Sequence, residues 1–338
     1  MRSPAISRSD AVTVTRQGCP MGKGRMIWVW LVVAATVAVA GCGSDSSEAE
    51  GSGGPTKLTV GVGAGPFVAP LETAQFSDAG FDVTRQNVTS GSVAVPLVLN
   101  GQLKFSQADA VGALTAISKG VPLVFVGSVT STGATADQDS TAILVKPGSG
   151  LKAAADLKGK KVGVNGIGGA AQLAAAAAID KLGGDSTKVE FVEMPPNSLT
   201  GAVADGTLAA AVTSRSEGQA EGLDPIIAPT AEAMPSAPLI VWVTSKQYAE
   251  KNPEVVERFA AAAEKANDEL AHDPERVRKI VVEKATAKIS PELAKTMALP
   301  QFAPTTIQRD RLQTVVDLMV QYKVIPKPID LDTVLVAS

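Results

Sequence analysis

The chain has 338 residues, 45% of them hydrophobic and 4% aromatic, with 31 Lys and Arg against 34 Asp and Glu for a net charge of −3. No basic cluster occurs after residue 42, which argues against a nucleic-acid partner. Cys19 and Cys42 are the only cysteines and His272 the only histidine, so Cys/His zinc sites and Ser-His-Asp triads find almost no material, and no metal or cofactor is expected.

Lys23 and Arg25 precede an apolar stretch, residues 26–41, that ends in Val39-Ala40-Gly41-Cys42. A basic start, an apolar centre and small residues before a cleavage point make an export signal, and the stretch is shorter than the roughly 20 residues a membrane-spanning helix needs. Cysteine in place of an Ala-x-Ala site resembles the bacterial lipobox. That resemblance implies cleavage before Cys42, lipidation of its thiol, and a protein anchored on the extracytoplasmic face of the cell membrane. Residues 1–41 are then a signal peptide, with translation starting at Met21 or Met26, because Met1 to Pro20 is an unusual beginning for such a segment. Removing it takes away five cations and one acid, leaving 26 against 33 and a mature charge of −7. Residues 42–56 are rich in Gly and Ser and read as a flexible tether with a reach of about 20 Å.

From residue 57 short β-branched runs alternate with helical ones. Strands are expected at 57–62, 81–85, 105–107, 122–127 and 141–146, with helices at 67–78, 91–99 and 108–119. The order restarts after Pro147 with strands near 162–165, 189–192 and 208–213 and a helix over 169–182. A strand at 238–243 returns to the first unit, and helices follow at 253–272, 274–284, 291–297 and 306–323, three of them opening on proline, where no amide donor is needed. Strands separated by helices of this length argue for α/β layers with mostly parallel sheets. The expected organisation is two α/β lobes with a hinged cleft: residues 57–145 plus 240–338 form lobe one, and 146–239 form lobe two.

Gly166-Ile167-Gly168-Gly169-Ala170-Ala171 fits a dinucleotide-binding pattern, with Glu190 and Glu193 near the position of the expected acid. The export signal decides against a nicotinamide cofactor. What survives is a glycine-rich approach to a helix N-terminus, serving either ligand binding at Gly168 and Gly169 or close packing of helix on sheet. Phe67, after the first strand, either stacks on a ligand or staples its own helix. Gly91 and Ser92 open the second helix at a strand's carboxyl end. Gln107 and Asp109 follow the third strand, where Asp109 is either a ligand contact or a helix cap. Arg215 either clamps an anion or lies on the surface. His272 is a solvated helix-end residue, and the alanine run at 174–178 is helix propensity and close packing.

Three stretches carry a likeness over the mature chain: Asn100-Gly101-Gln102-Leu103 with Ala116-Ile117-Ser118-Lys119-Gly120-Val121-Pro122-Leu123, then Asp156-Leu157-Lys158-Gly159-Lys160-Lys161-Val162, then Lys251-Asn252-Pro253-Glu254-Val255-Val256-Glu257-Arg258-Phe259. In that order they resemble the solute-binding proteins of ABC importers, in the group of aliphatic-sulfonate, nitrate, taurine and thiamine-precursor binders. The chain departs from the group at Lys104 and Ala209, where an aspartate is common, and at Glu217-Gly218, where Glu-Pro is common. The resemblance implies a periplasmic-binding-protein-like, type II-like fold and a monomer that captures a small polar or anionic molecule (sulfonate, nitrate, taurine or similar) and hands it to a membrane permease, with no catalysis. Phe67, Gly91, Ser92, Asp109, Gly168, Gly169 and Arg215 are the ligand-contact positions it implies. An extracellular enzyme of the pyrimidine-synthase kind on the same fold, or a ligand-sensing lobe of a receptor, are the alternatives.

Overall fold

The computed structural model describes residues 54–88, 91–285, 289–302 and 304–336, with backbone alone at 91 and 92. The export signal, Cys42 and most of the tether lie outside the described residues. The described residues fall within one compact unit.

Strand β1 (Thr56–Val62) buries Leu58, Val60 and Val62. A 3-10 turn over Gly65–Glu72 and the short α1 (Gln75–Asp78) stand where a single helix over 67–78 is expected. Pro66 and Pro70 carry no amide donor, and the Thr73 hydroxyl donates back to the Pro70 carbonyl at 2.9 Å, so an α-helical ladder cannot run through. Then come β2 (Phe81–Asn87), α2 (Gly91–Leu99), β3 (Phe105–Asp109), α3 (Ala110–Ser118) and β4 (Leu123–Ser131). The chain crosses to a second sheet and lays down β5 (Thr141–Val145), β6 (Lys161–Val164), α4 (Ala170–Lys181), β7 (Glu190–Glu193), α5 (Pro196–Ala204), β8 (Ala210–Ser214), α6 (Arg215–Ala220) and β9 (Asp224–Ile227). It returns through α7 (Pro229–Ala233) to β10 (Pro238–Ser245), α8 (Lys246–Lys251), α9 (Pro253–His272), α10 (Pro274–Lys284), α11 (Pro291–Thr296), β11 (Gln301–Phe302) and α12 (Arg309–Gln321).

The first sheet has the order β11-β4-β10-β3-β1-β2 and the second β7-β6-β8-β5-β9. The expected domain boundary fails in one place. Residues 141–145, assigned from sequence to lobe one, pair with β8 and β9 and belong to the second sheet. The sheets are also more mixed than expected: β10 runs antiparallel to both β3 and β4, and β5 antiparallel to both β8 and β9. One cause covers both findings. A strand that enters a sheet from the edge where its neighbours end must run against them, and β5 and β10 are the first strands after each crossing.

The two sheets are filled differently. Under the first, Phe259 of α9 stacks on Phe105 at 3.8 Å between ring centres and takes the edge of Trp242 at 5.2 Å, while Phe76 leans on it at 5.1 Å. Asn267, fully buried on the same helix, donates to the Ser128 and Val129 carbonyls of β4. The second sheet packs Val162, Val164, Val212 and Ile179 with alanines of α4. Among the described residues no helix is long and apolar enough to cross a membrane.

Candidate functional site

Both crossings join the carboxyl edge of one sheet to the carboxyl edge of the other. β4 ends at Ser131, and β5 begins at Thr141 opposite Ser214, the last residue of β8. On the way back β9 ends at Ile227 beside Ile143, and β10 begins at Pro238 opposite Ser131. The carboxyl edges of β1 and β3 therefore lie toward those of β6, β7 and β8, the arrangement in which open α/β sheets place their ligands. Between the two halves the Ala298 amide, between α11 and β11, donates to Ser216 Oγ of α6 at 3.2 Å.

On the first sheet, the β1 loop is held by a residue of the next strand. Gln107 is buried, accepts from the Gly63 amide at 3.0 Å and donates to the Phe67 carbonyl at 2.8 Å. Phe67 is half-buried, with its backbone pinned by Gln107. Gly91 and Ser92 open α2 after β2. Asp109 resolves as a cap: its Oδ1 accepts from the Gly112 amide at 2.8 Å at the head of α3. Burial pushes its carboxyl up to about 6, with the Gly112 and Val111 amides pulling the other way.

On the second sheet, the glycine loop ahead of α4 is folded by side chains from two directions. Glu193, at the end of β7, accepts from the Ile167 amide at 3.0 Å, and Gln172 reaches back to accept from the Gly168 amide at 2.6 Å. The residue that looked like a ribose-binding acid thus holds the loop itself. Gly168 sits at φ +75°, a conformation side chains rarely adopt, and Gly169 caps α4 with no side chain to offer its first turn. That turn therefore carries the positive end of the helix with no capping side chain from Gly169.

Arg215 follows neither sequence expectation fully. Its Nη2 donates to the Ala136 carbonyl at 2.6 Å and its amide to the Ser140 carbonyl, tying α6 to the first crossing, while its Nε is buried and has no hydrogen-bond partner among the described residues. A buried residue that sequence reading missed organises the same region. Asp139 is 2% exposed and accepts from the Thr230 and Ala231 amides, the Thr230 hydroxyl and the Thr141 amide, at 2.7–2.9 Å. It knits the two crossings together and caps α7. In sequence it is one polar residue in a polar loop, and nothing local marks it. His272 ends α9 in solvent, its Nδ1 against the Asp268 carbonyl. Two surface cavities, of about 240 Å³ beside Arg258 and Lys265 and about 340 Å³ beside Lys146 and Lys152, include none of the groove residues.

Two mixed α/β layers joined twice at their carboxyl edges define a two-lobed protein of the periplasmic-binding-protein fold. A family model described as NMT1/THI5 like matches residues 65–277, and the chain belongs to that family. No curated protein sequence matches it. Among solved structures, the periplasmic aliphatic sulphonate binding protein SsuA from Escherichia coli superposes with a TM-score of 0.68 at 16% identity, covering 82% of this chain and 91% of that one. The alkanesulfonate-binding protein SsuA from Xanthomonas axonopodis pv. citri, bound to MOPS, gives 0.65 at 19% identity over 84% and 99%. The periplasmic nitrate-binding protein NrtA from Synechocystis PCC 6803 gives 0.66 at 14% identity over 83% and 86%. At these identities the likeness is one of fold, and it agrees with the binding-protein resemblance of the sequence.

Proposed function

We propose that this protein is the extracytoplasmic solute-binding component of an ABC importer, which captures a small molecule between its two sheets and delivers it to a membrane permease. The observation that carries the reading is the groove itself: facing carboxyl edges joined by two crossings, in a chain of the NMT1/THI5-like family. The names of its structural neighbours, sulfonate and nitrate binders, support the same role. The mechanism is binding alone: first-turn amides of α4, Phe67 and the loops at Gly91 and Arg215 fix the ligand, and closure expels water. Lipid anchoring through Cys42 is part of the proposal and rests on the residues before it and on the Gly/Ser tether.

Native mass spectrometry of the purified chain, followed by thermal-shift titration with alkanesulfonates, nitrate, taurine, pyrimidines and aromatic acids, tests the reading. A true ligand at 100 times its dissociation constant adds about 2.7 kcal/mol of stability. A chain that carries no ligand and is stabilised by none of the panel overturns the capture role. Among the charged side chains of the facing loops, Arg215 is opposed by Asp109, Glu193 and Glu217. Arg215→Ala is therefore expected to cost an anionic ligand about 2–3 kcal/mol, measured by calorimetry, while a neutral ligand is unaffected.

A further inference from the structure

Asn-Gly occurs twice in the chain, at Asn100-Gly101 and at Asn165-Gly166. Both asparagines are exposed, and the fold treats them differently. Asn100 closes α2: its Oδ1 accepts from the Gln102 amide at 3.0 Å and its Nδ2 donates to Gln102 Oε1 at 3.3 Å. The Gly101 amide is engaged as well, donating to the Val98 carbonyl at 3.2 Å. Asn165 follows β6 and opens the glycine loop ahead of α4. Of the four amides from Gly166 to Gly169, three are bonded: Ile167 to Glu193, Gly168 to Gln172, and Gly169 to the Gly166 carbonyl at 3.3 Å. The Gly166 amide and the Asn165 side chain have no hydrogen-bond partner among the described residues. Space is open there too, since a Cβ on Gly166 would meet nothing within 4 Å.

We propose that Asn165 is a site of self-modification, where the side chain closes on the Gly166 amide and leaves a carboxylate in the loop before α4. The Gly166 N–H gives its proton to a solvent base, and the nitrogen attacks Asn165 Cγ. An N–Cγ bond forms, the Cγ–Nδ2 bond breaks, and Nδ2 leaves as ammonia after taking a proton from water. Water then opens the five-membered imide at either carbonyl. Opening at Cγ gives aspartate; opening at the main-chain carbon gives isoaspartate, whose backbone runs through Cγ and is one carbon longer. The sum is amide plus water to acid plus ammonia, with no oxidant or reductant. Glycine permits the attack because it has no side chain to obstruct the nitrogen. At Asn165 no hydrogen bond has to break first, whereas Asn100 and Gly101 must give up three. Isoaspartate lengthens the loop that Glu193 and Gln172 hold, and either product adds negative charge ahead of α4. Under the proposed function that charge opposes an anionic ligand at the head of α4. The modification itself does not depend on that reading.

The full chain, purified and kept in warm, mildly alkaline buffer made with heavy-oxygen water, tests this by peptide mapping. Mass spectrometry is expected to show the Asn165 peptide turning into two acidic products, aspartate and isoaspartate, each carrying one heavy oxygen. The Asn100 peptide reacts at least roughly ten times more slowly, and in urea the two react at equal rates. Gly166→Ala, whose methyl group has open space, slows the reaction at Asn165 severalfold. An Asn165 peptide that reacts no faster than the Asn100 peptide in the folded chain overturns the proposal. So does a difference that persists in urea, because the fold would then not be its cause, and so does a Gly166→Ala chain that reacts as fast as the parent. No ligand enters the measurement, so its failure and that of the capture role are distinguishable.

Discussion

The corners β3–α3 and β6–α4 are the same piece of geometry on opposite sides of the groove, and they are finished in opposite ways. At the first, Asp109 fills the head of α3 with its own carboxylate. At the second, Gly169 leaves the head of α4 bare, and the loop before it is held from outside by Glu193 and Gln172. A helix head that caps itself is stable and has little left for a ligand; one that borrows its support keeps its first-turn amides open. Under the proposed function, this asymmetry makes the head of α4 the expected anchor for a ligand, with Phe67 on the facing side.

Changing the cap at each corner in turn sharpens or breaks this contrast. The largest effect is expected at Asp109, whose carboxyl rises from 3.8 to about 6 in the folded protein. Between those values the native state holds more protons than the unfolded one, so this group's contribution to stability falls as pH rises through the window. Asp109→Asn keeps an acceptor for Gly112 and removes the buried charge. It should be more stable than the parent by about 2–3 kcal/mol at pH 8 and equal to it near pH 4, as read from urea unfolding at the two pH values. An equal difference at both would mean that the carboxyl does not titrate in the window. Next is Gly168→Ala, which puts a side chain at φ +75° and is expected to cost about 1–2 kcal/mol without changing the α3 corner. A thermal melt that does not move would show the loop free to relax. Smallest is Gly169→Asp, which copies the Asp109 cap onto α4 and should gain only a few tenths of a kcal/mol, while abolishing binding of whatever ligand copurifies. Retained binding would remove α4 from the site.

Much of the molecule was legible in the chain. Pro253, Pro274 and Pro291 marked helix starts that the structure keeps at those residues. The glycine loop at 166–169 was readable as a special corner, and its dinucleotide reading was set aside because so short a match is weak and the expected export signal opposes it. The boundary at residue 145 was not legible, because the run 141–145 is as good a strand for one sheet as for the other. The close packing of the alanine run in α4 was legible, but not that Ala174 would face α3 and α12 while Ala175 and Ala178 face the second sheet. Asp139 left no trace at all, since its four donors come from both crossings.

By itself the sequence determined what is local: the order and type of most elements, where proline and glycine start or stop them, and the acidic balance. Tertiary structure decided which elements meet. It moved β5 into the second sheet, turned Asp109 into a cap and Arg215 into a tie to the first crossing, and merged two cores around α4. Period, charge and capping are written in a few neighbouring residues. A partner is fixed by where distant segments enter a sheet, and β5 and β10 had to enter theirs from the edge at which the chain crossed.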